Sequence, residues 1–169
     1  SLLSKSALIG KLLNKAQMFS QIIASQSGLS RDVQGDVRQL SELVTSVTPQ
    51  VTQTLGEGRA MGAYSLGQGF LNSSSSTRFD ELLQQLEKLQ AEYGLKVQDA
   101  LNSSKAAHDA LDTLAQASQA SLKQGSELFE EQVVMAETLE APWQGFYDQV
   151  TALMAKTYQL DDATLSFLD

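Results

Sequence analysis

Arg59 is the residue whose type and surroundings best suit it to bind a ligand. It lies in the stretch 55–69, which holds five of the 11 glycines of the chain. In a helix, Arg59 shares one face with Leu55, Gly62 and Leu66, and that face is otherwise apolar or small. The spacing therefore directs the guanidinium toward the interior of a helical bundle or toward a subunit interface. No acid lies one turn away on the same face.

Two interpretations of this arginine remain open from its setting. A guanidinium without a partner can hold an anion, for instance a carboxylate, through two parallel hydrogen bonds. Alternatively, Arg59 pairs with an acid from another helix or extends past its small neighbours into water. Each glycine in a helix interior costs about 1 kcal/mol relative to alanine, so the glycines need a compensating role. Gly58 and Gly62, four residues apart, would allow a neighbouring helix to approach closely.

Catalytic chemistry has few candidate residues in this chain. Cysteine is absent and His108 is the single histidine, which excludes thiol nucleophiles and sites with several histidines. The acid pairs at 130–131 and 161–162 are adjacent in sequence, so their side chains point to different faces of a helix. Trp143 and Tyr147 fit a core better than a ligand cage. We therefore predict a protein that is not an enzyme and that uses no catalytic residue, cofactor or metal ion.

The composition of the chain favours helices. It has 169 residues, 42% of them hydrophobic, with only 2 prolines to mark turns. An all-β domain, with strands of about 5–6 residues, needs more frequent breaks. The formal net charge is −8 and charged residues make up 19% of the chain, below the roughly 25% of an ordinary soluble domain. This acidic balance argues against nucleic acid as a partner, because phosphate backbones require clustered Lys and Arg.

Heptad-like spacing predicts the first two helical arms. Apolar or small residues of the first arm recur at intervals of three and four, with Lys5 as the single break: Leu2, Ile9, Leu12, Ala16, Phe19 and Ile23. This arm stops near Gly28, a candidate C-cap. The second arm covers roughly 33–71, and Pro49 predicts a kink in it near 45–48. The polar run 72–77 then predicts a connection.

Two further arms complete the prediction. The third is a long helix from about Phe79, weakened around Asn102-Ser103-Ser104 and ending near Gly125, a possible C-cap. The fourth is interrupted at Pro142, where a new helix can start. We predict one all-α domain over 1–169, an antiparallel up-down four-helix bundle with long helices and a last arm broken near Pro142. An even number of antiparallel arms places both chain ends at the same end of the bundle.

With this pattern the chain resembles the extracytoplasmic sensor domains of bacterial methyl-accepting chemotaxis receptors. The resemblance depends on Pro49-Gln50-Val51 followed by Leu55-Gly56-Glu57-Gly58-Arg59-Ala60-Met61-Gly62. The Leu-rich arm at Phe79-Asp80-Glu81-Leu82-Leu83 and the aromatic restart at Gly145-Phe146-Tyr147 also fit. Similar helical sensors occur on histidine kinases, including nitrate-sensing ones in which an arginine grips the anion at a dimer interface. This chain departs from their motif at 61–64, so nitrate specificity does not transfer.

The resemblance implies a homodimeric four-helix bundle between two transmembrane helices of a longer inner-membrane protein, on its periplasmic side. The chain begins without Met and in a helical pattern, which fits a fragment, and it contains no apolar window of 18 residues. The implied ligand is a small anion (an organic acid, an amino acid or an inorganic anion) that binds at Arg59 and signals by helix displacement. The alternatives are the sensor domain of a membrane histidine kinase, or a helical scaffold or assembly protein without a ligand.

Overall fold

The computed structural model describes residues 2–25 and 31–169, with side chains described for 4–15, 35 and 37–169. Apart from the connections at 69–72, 103–104 and 135–142, this part of the chain is helical, and it contains no strand, so the all-α bundle prediction is confirmed. The helices are α1 (Leu2–Ser25), α2 (Arg31–Glu42), α3 (Thr48–Gln68), α4 (Ser73–Asn102), α5 (Lys105–Phe129) and α6 (Trp143–Leu168). Two π-helical turns, Leu43–Val47 and Glu130–Val134, join α2 to α3 and extend α5.

The core of the bundle forms along α3, α4, α5 and α6, which bury their apolar faces against one another. The largest fully buried side chains include Tyr93, Phe79, Phe129, Phe146, Leu55, Leu82, Leu86, Leu111 and Leu122. An amphipathic helix gains most of its stability from burying such a face, at about 25 cal/mol per Å² of apolar surface. The long helices therefore stabilise one another along their length.

Contacting pairs reveal the relative directions of the packed helices. Thr48 at the start of α3 contacts Asp161 near the end of α6, and Gly62 near the end of α3 contacts Phe146 at the start of α6. Residue numbers thus rise along one helix and fall along the other. Tyr93 of α4 likewise contacts Ser118 of α5 across the chain reversal between those helices. Each of these neighbouring pairs runs in opposite directions.

The predicted third arm is wrong, because it is two helices. The chain reverses at Ser103 and Ser104, where Ser104 Oγ accepts a hydrogen bond from the backbone N–H of Ala107 at 3.0 Å. Serine at an N-cap satisfies a free backbone donor and so starts a new helix. Gly125 does not end a helix but lies buried inside α5 against Leu55. The residues predicted to open the fourth arm, 129–134, instead continue α5.

The interruptions predicted at the two prolines are confirmed. The π-helical turn Leu43–Val47 lies directly before α3, whose second residue is Pro49; proline lacks the N–H that a regular α-helical ladder needs. Pro142 is the N-cap of α6. The polar connection predicted at 72–77 is wrong, since Asn72 caps α4 through a 2.8 Å bond from the N–H of Ser75.

Helix α1 lies on the outside of α2 and α6. Lys5 Nζ is 6.0 Å from the centre of the Tyr158 ring, and Lys15 pairs with Asp169 at 2.6 Å. The helix therefore runs in the same direction as α6, so the expectation of an even number of antiparallel arms with both chain ends at one end is wrong. The stop predicted at Gly28 lies outside the described residues, as do the side chains of Ala16, Phe19 and Ile23.

A chain of buried hydroxyl groups crosses the core from α4 through α5 to α6. Ser118 Oγ lies 2.6 Å from both the Tyr93 hydroxyl and Thr157 Oγ1. All three residues are 0–1% exposed, so water cannot replace a lost partner. Burial raises the pKa of Tyr93, although its hydrogen bond with Ser118 opposes the shift. The hydroxyl of Tyr93 therefore stays protonated and hydrogen-bonded in the core.

Replacing the central hydroxyl of this chain is expected to destabilise the protein. Ser118→Ala should lower the free energy of unfolding by about 1–3 kcal/mol, because it leaves two buried hydroxyls without this partner. Chemical denaturation of wild type and variant would measure the loss. Ser166→Ala, at an exposed position of α6, is the control and should change stability by less than about 0.5 kcal/mol. Equal effects of the two substitutions would contradict a stabilising role for the chain of hydroxyls.

Candidate functional site

A cleft of about 440 Å³ lies between α1, α3 and α6. Three helices that do not follow one another in sequence form its walls, so it exists only in the folded bundle. Its lining is Ser4, Lys5 and Leu8 from α1, Arg59 from α3, and Thr151, Met154, Ala155, Tyr158 and Asp162 from α6. The candidate ligand-binding residue from the sequence, Arg59, is therefore part of the wall of a cavity.

The guanidinium of Arg59 is held in position by two groups of α6. Its Nη1 donates a hydrogen bond to Thr151 Oγ1 at 2.8 Å, and its central carbon lies 4.5 Å from the centre of the Tyr147 ring. Thr151 Oγ1 donates in turn to the Tyr147 carbonyl at 2.9 Å. A cation over an aromatic face is attracted by the ring electrons. These contacts fix the plane of the guanidinium and engage one of its five N–H donors.

Arg59 has no carboxylate partner among the described residues. Glu57, two positions earlier in α3, is engaged by Arg78 through bonds of 2.6 and 2.7 Å. Of the two directions expected for Arg59, the bundle interior is wrong, and the subunit interface stays a prediction. The side chain is half-buried on the flank of α3, because α6 offers Thr151 and Tyr147 there. Neither pairing with an acid of another helix nor free extension into water describes this geometry.

Lys5 and Asp162 add two more charges to the cleft. The sequence signal for Lys5 was its position as the single break in the apolar spacing of the first arm. Thr151 carried no such signal. Tyr147 and Trp143 were predicted to be core residues, and this is wrong, since they are 38% and 44% exposed. Phe146, one residue away from Tyr147, takes the inward position on α6 instead.

The glycines around Arg59 have a packing role. A Cβ atom on Gly58 would lie 2.4 Å from the ring of Phe129, and one on Gly62 would lie 2.3 Å from the ring of Phe146. Real Cβ atoms do not approach other atoms so closely, so both rings pack directly on the backbone of α3. The predicted close approach at these two glycines is confirmed. It brings α6 near enough for Thr151 to reach Arg59.

The remaining candidate residues are not assembled into a catalytic site. His108 is exposed on α5, with Nε2 3.6 Å from Asp112 and Nδ1 3.9 Å from Asp109. Glu130 and Glu131 begin the second π-helical turn, and Glu131 is exposed. Within the described residues, no three His, Cys, Asp or Glu side chains gather closely enough to hold a metal ion.

Asp161 is buried, with only 5% of its surface exposed. Thr48 Oγ1 donates a hydrogen bond of 2.7 Å to its Oδ1. Burial raises the pKa of Asp161 to about 7, helped by the charge of Asp162, while the bond from Thr48 and the charge of Lys5 oppose this shift. Asp161 and Lys5 also line a small cavity of about 30 Å³, which has Lys5, Leu8 and Tyr158 in common with the lining of the cleft. Lys5 thus lies between the buried carboxyl group and the cleft.

Comparisons with known proteins supply no relative for this fold or this cleft. No protein-family model, no curated protein and no solved structure matches the chain. The described helices also include none that is both long and apolar enough to cross a membrane.

Proposed function

We propose that this chain is the sensor domain of a bacterial chemotaxis receptor and binds a small anion in the cleft beside Arg59. The observation that carries the proposal is a guanidinium fixed by Thr151 and Tyr147, without a carboxylate partner among the described residues, in the wall of a 440 Å³ cleft. Free N–H donors in a fixed plane suit a planar anion such as a carboxylate. In the receptor, the domain is a periplasmic homodimer flanked by transmembrane helices.

The position of the cleft fits a signal based on helix displacement. An anion at Arg59 would touch α3 and could also be reached by Lys5 from α1, while Thr151 of α6 holds the guanidinium itself. Binding that favours one relative position of these helices shifts the population toward that arrangement. Small axial shifts of packed helices are an established type of switching transition. The same ligand site and movement would serve a membrane histidine kinase, so the two receptor classes differ in output.

Removing the guanidinium is expected to abolish anion binding. Thermal-shift measurements with organic acids, amino acids and inorganic anions should find compounds that stabilise the wild type. A ligand at 100 times its Kd stabilises the folded state by about 2.7 kcal/mol, or roughly 5–10 °C in Tm for a domain of this size. We expect Arg59→Ala to lose this stabilisation. Arg59→Lys should retain only part of it, because lysine keeps the charge but not the planar fork.

The matched control is Arg38→Ala, which removes one positive charge from an exposed position on α2. This variant should respond to each anion as the wild type does. If no anion stabilises the wild type more than it stabilises the Arg59→Ala variant, the anion site is refuted. A chimera that joins this domain to the signalling half of a chemoreceptor would then test the output, by measuring whether the stabilising anion changes kinase activity.

A ligand-free helical scaffold is the second candidate, and the direction of α1 favours it. If α1 and α6 themselves continued directly into the membrane, they would have to run in opposite directions. Here α1 and α6 run in the same direction, as the contacts of Lys5 with Tyr158 and of Lys15 with Asp169 require. A disulfide engineered between α1 and α6 would decide between the candidates. A ligand-free scaffold should keep its fold and show no response to the anion with or without the cross-link. A sensor whose helices move should respond to the anion only without the cross-link.

A further inference from the structure

The volume of the cleft indicates how large an anion it can hold. At about 30 Å³ per water molecule, its volume of about 440 Å³ corresponds to roughly fifteen waters. A compact inorganic anion would fill only a small part of this space. Sites for small organic molecules start at about 300 Å³ and combine apolar walls with a few polar groups. The cleft therefore has room for an organic body attached to the anionic group.

The walls of the cleft away from Arg59 are largely apolar. Leu8 of α1 and Met154 of α6 line it, together with Ala155 and the ring of Tyr158. Water next to such walls is displaced favourably by an apolar body. A ligand that places its charge at Arg59 and its hydrocarbon part against these residues would use both kinds of surface.

The charges of the lining select for a single negative charge. Arg59 and Lys5 contribute two positive charges and Asp162 contributes one negative charge, which leaves a net charge of +1. The charge of Lys5 also acts on Asp161 of α6, whose ionised form it stabilises. Within the described residues neither Arg59 nor Lys5 forms an ion pair. A ligand with one carboxylate would bring the net charge of the lining to zero, whereas a second carboxylate would make it negative.

We infer that the ligand of this cleft is an amphipathic monocarboxylate, with its carboxylate on the free edge of Arg59 and an apolar body against Leu8, Met154 and Tyr158. The inference rests on the proposed anion site and goes beyond it by excluding inorganic anions, dicarboxylates and neutral apolar molecules as preferred ligands. Thr151 acts as a positioning residue, since it holds the guanidinium edge that faces away from the carboxylate.

Calorimetric titration of the chain with matched probes tests the class of ligand. Butyrate, hexanoate, adipate, hexanol and sulfate vary the length of the body and the number of charges. Burying an added methylene should tighten binding about fourfold, so hexanoate should bind roughly tenfold more tightly than butyrate. Adipate has the same number of carbons but a second carboxylate, and it should bind at least tenfold more weakly than hexanoate. Hexanol and sulfate should bind more weakly than both hexanoate and adipate.

Two variants link these differences to the residues. Asp162→Asn, at an exposed position, should reduce the ratio of the adipate Kd to the hexanoate Kd several-fold. Leu8→Ser should weaken hexanoate more than butyrate. If adipate or sulfate binds the wild type as tightly as hexanoate and Arg59→Ala abolishes that binding, the inference fails while the proposed anion site stands. If none of the acids or sulfate binds, or if hexanol binds as tightly as hexanoate, the proposed anion site fails as well.

Discussion

Asp161→Asn is expected to stabilise the protein above pH 7. Between about pH 4 and pH 7 it is expected to reduce the dependence of the free energy of unfolding on pH. The carboxyl group is buried and accepts a bond from Thr48, and asparagine keeps an oxygen that can accept this bond without the charge. Ionising the wild-type group in the core costs free energy, because burial raises its pKa from 3.8 to about 7. The expected gain above pH 7 is as much as about 4 kcal/mol, at about 1.4 kcal/mol per pKa unit.

The direction of the pH dependence follows from proton binding. Below pH 3.8 the group is protonated in both the folded and the unfolded protein, so it adds no pH dependence. Between pH 3.8 and about 7 the folded protein keeps a proton that the unfolded chain has lost. The stability of the wild type therefore falls with rising pH, by up to about 1.4 kcal/mol per pH unit, and levels off above pH 7. A raised acid pKa thus weakens the fold at neutral pH.

Urea denaturation of wild type and variant at pH 4 to 8 would measure this effect as a difference curve, in which contributions of the other carboxylates cancel. Asp148→Asn is the control, because it removes a carboxylate from an exposed position of the same helix. The difference between its free energy of unfolding and that of the wild type should change by no more than about 0.5 kcal/mol from pH 4 to pH 8. If the free energy of unfolding of Asp161→Asn changes with pH as steeply as that of the wild type between pH 4 and 7, Asp161 is ionised in the folded protein at all of these pH values.

A methyl group on the glycines of α3 is expected to destabilise the bundle. Gly58→Ala and Gly62→Ala would each place a Cβ atom within 2.4 Å of a buried phenylalanine ring. Overpacking of this kind costs about 1–3 kcal/mol, which should exceed the gain of about 1 kcal/mol in helix propensity. Thermal unfolding should show a loss of roughly 2–4 °C per kcal/mol of net destabilisation.

Gly94→Ala is the matched control for these two substitutions. Gly94 also lies within a helix, but its Cβ would lie 3.6 Å from Gln119, an ordinary contact distance. The same mutation there should raise the stability by about 0.5–1 kcal/mol through helix propensity alone. Opposite signs at Gly94 and at Gly58 or Gly62 would confirm that ring packing requires the two glycines of α3. Equal stabilisation at all three positions would show that the rings move aside without cost.

Much of the helical structure could be predicted from local residue types. The prolines at 49 and 142 marked real interruptions, since a missing N–H acts within one turn of its own helix. The residue types at Ser103 and Ser104 indicate only a weak point in a helix, although these residues mark a chain reversal. A serine can face solvent in a helix or cap the next one, and packing of α4 against α5 selects the cap.

The candidate site was predictable only in part, for a related reason. Arg59 stood out because an arginine on a face of small and apolar residues lacks a local partner. The bundle interior, one of the two directions expected for it, was wrong, because the direction of the side chain depended on which residues of α6 lie opposite. Thr151 and Tyr147 are more than 85 residues further along the chain, and nothing in their own surroundings marks them as partners of Arg59.

The sequence alone determined that this chain is helical, where its prolines interrupt it, and that Arg59 has no acid one turn away on its own helix face. These properties depend on residues within a few turns of one another, where spacing translates directly into geometry. Only the tertiary structure decided that α4 folds back as α5, that α1 lies along α6 in the same direction, and that Lys5, Arg59 and Thr151 share one cleft. Contacts between distant segments depend on how all the helices pack at once, and helical periodicity specifies the face of each helix but not its neighbour.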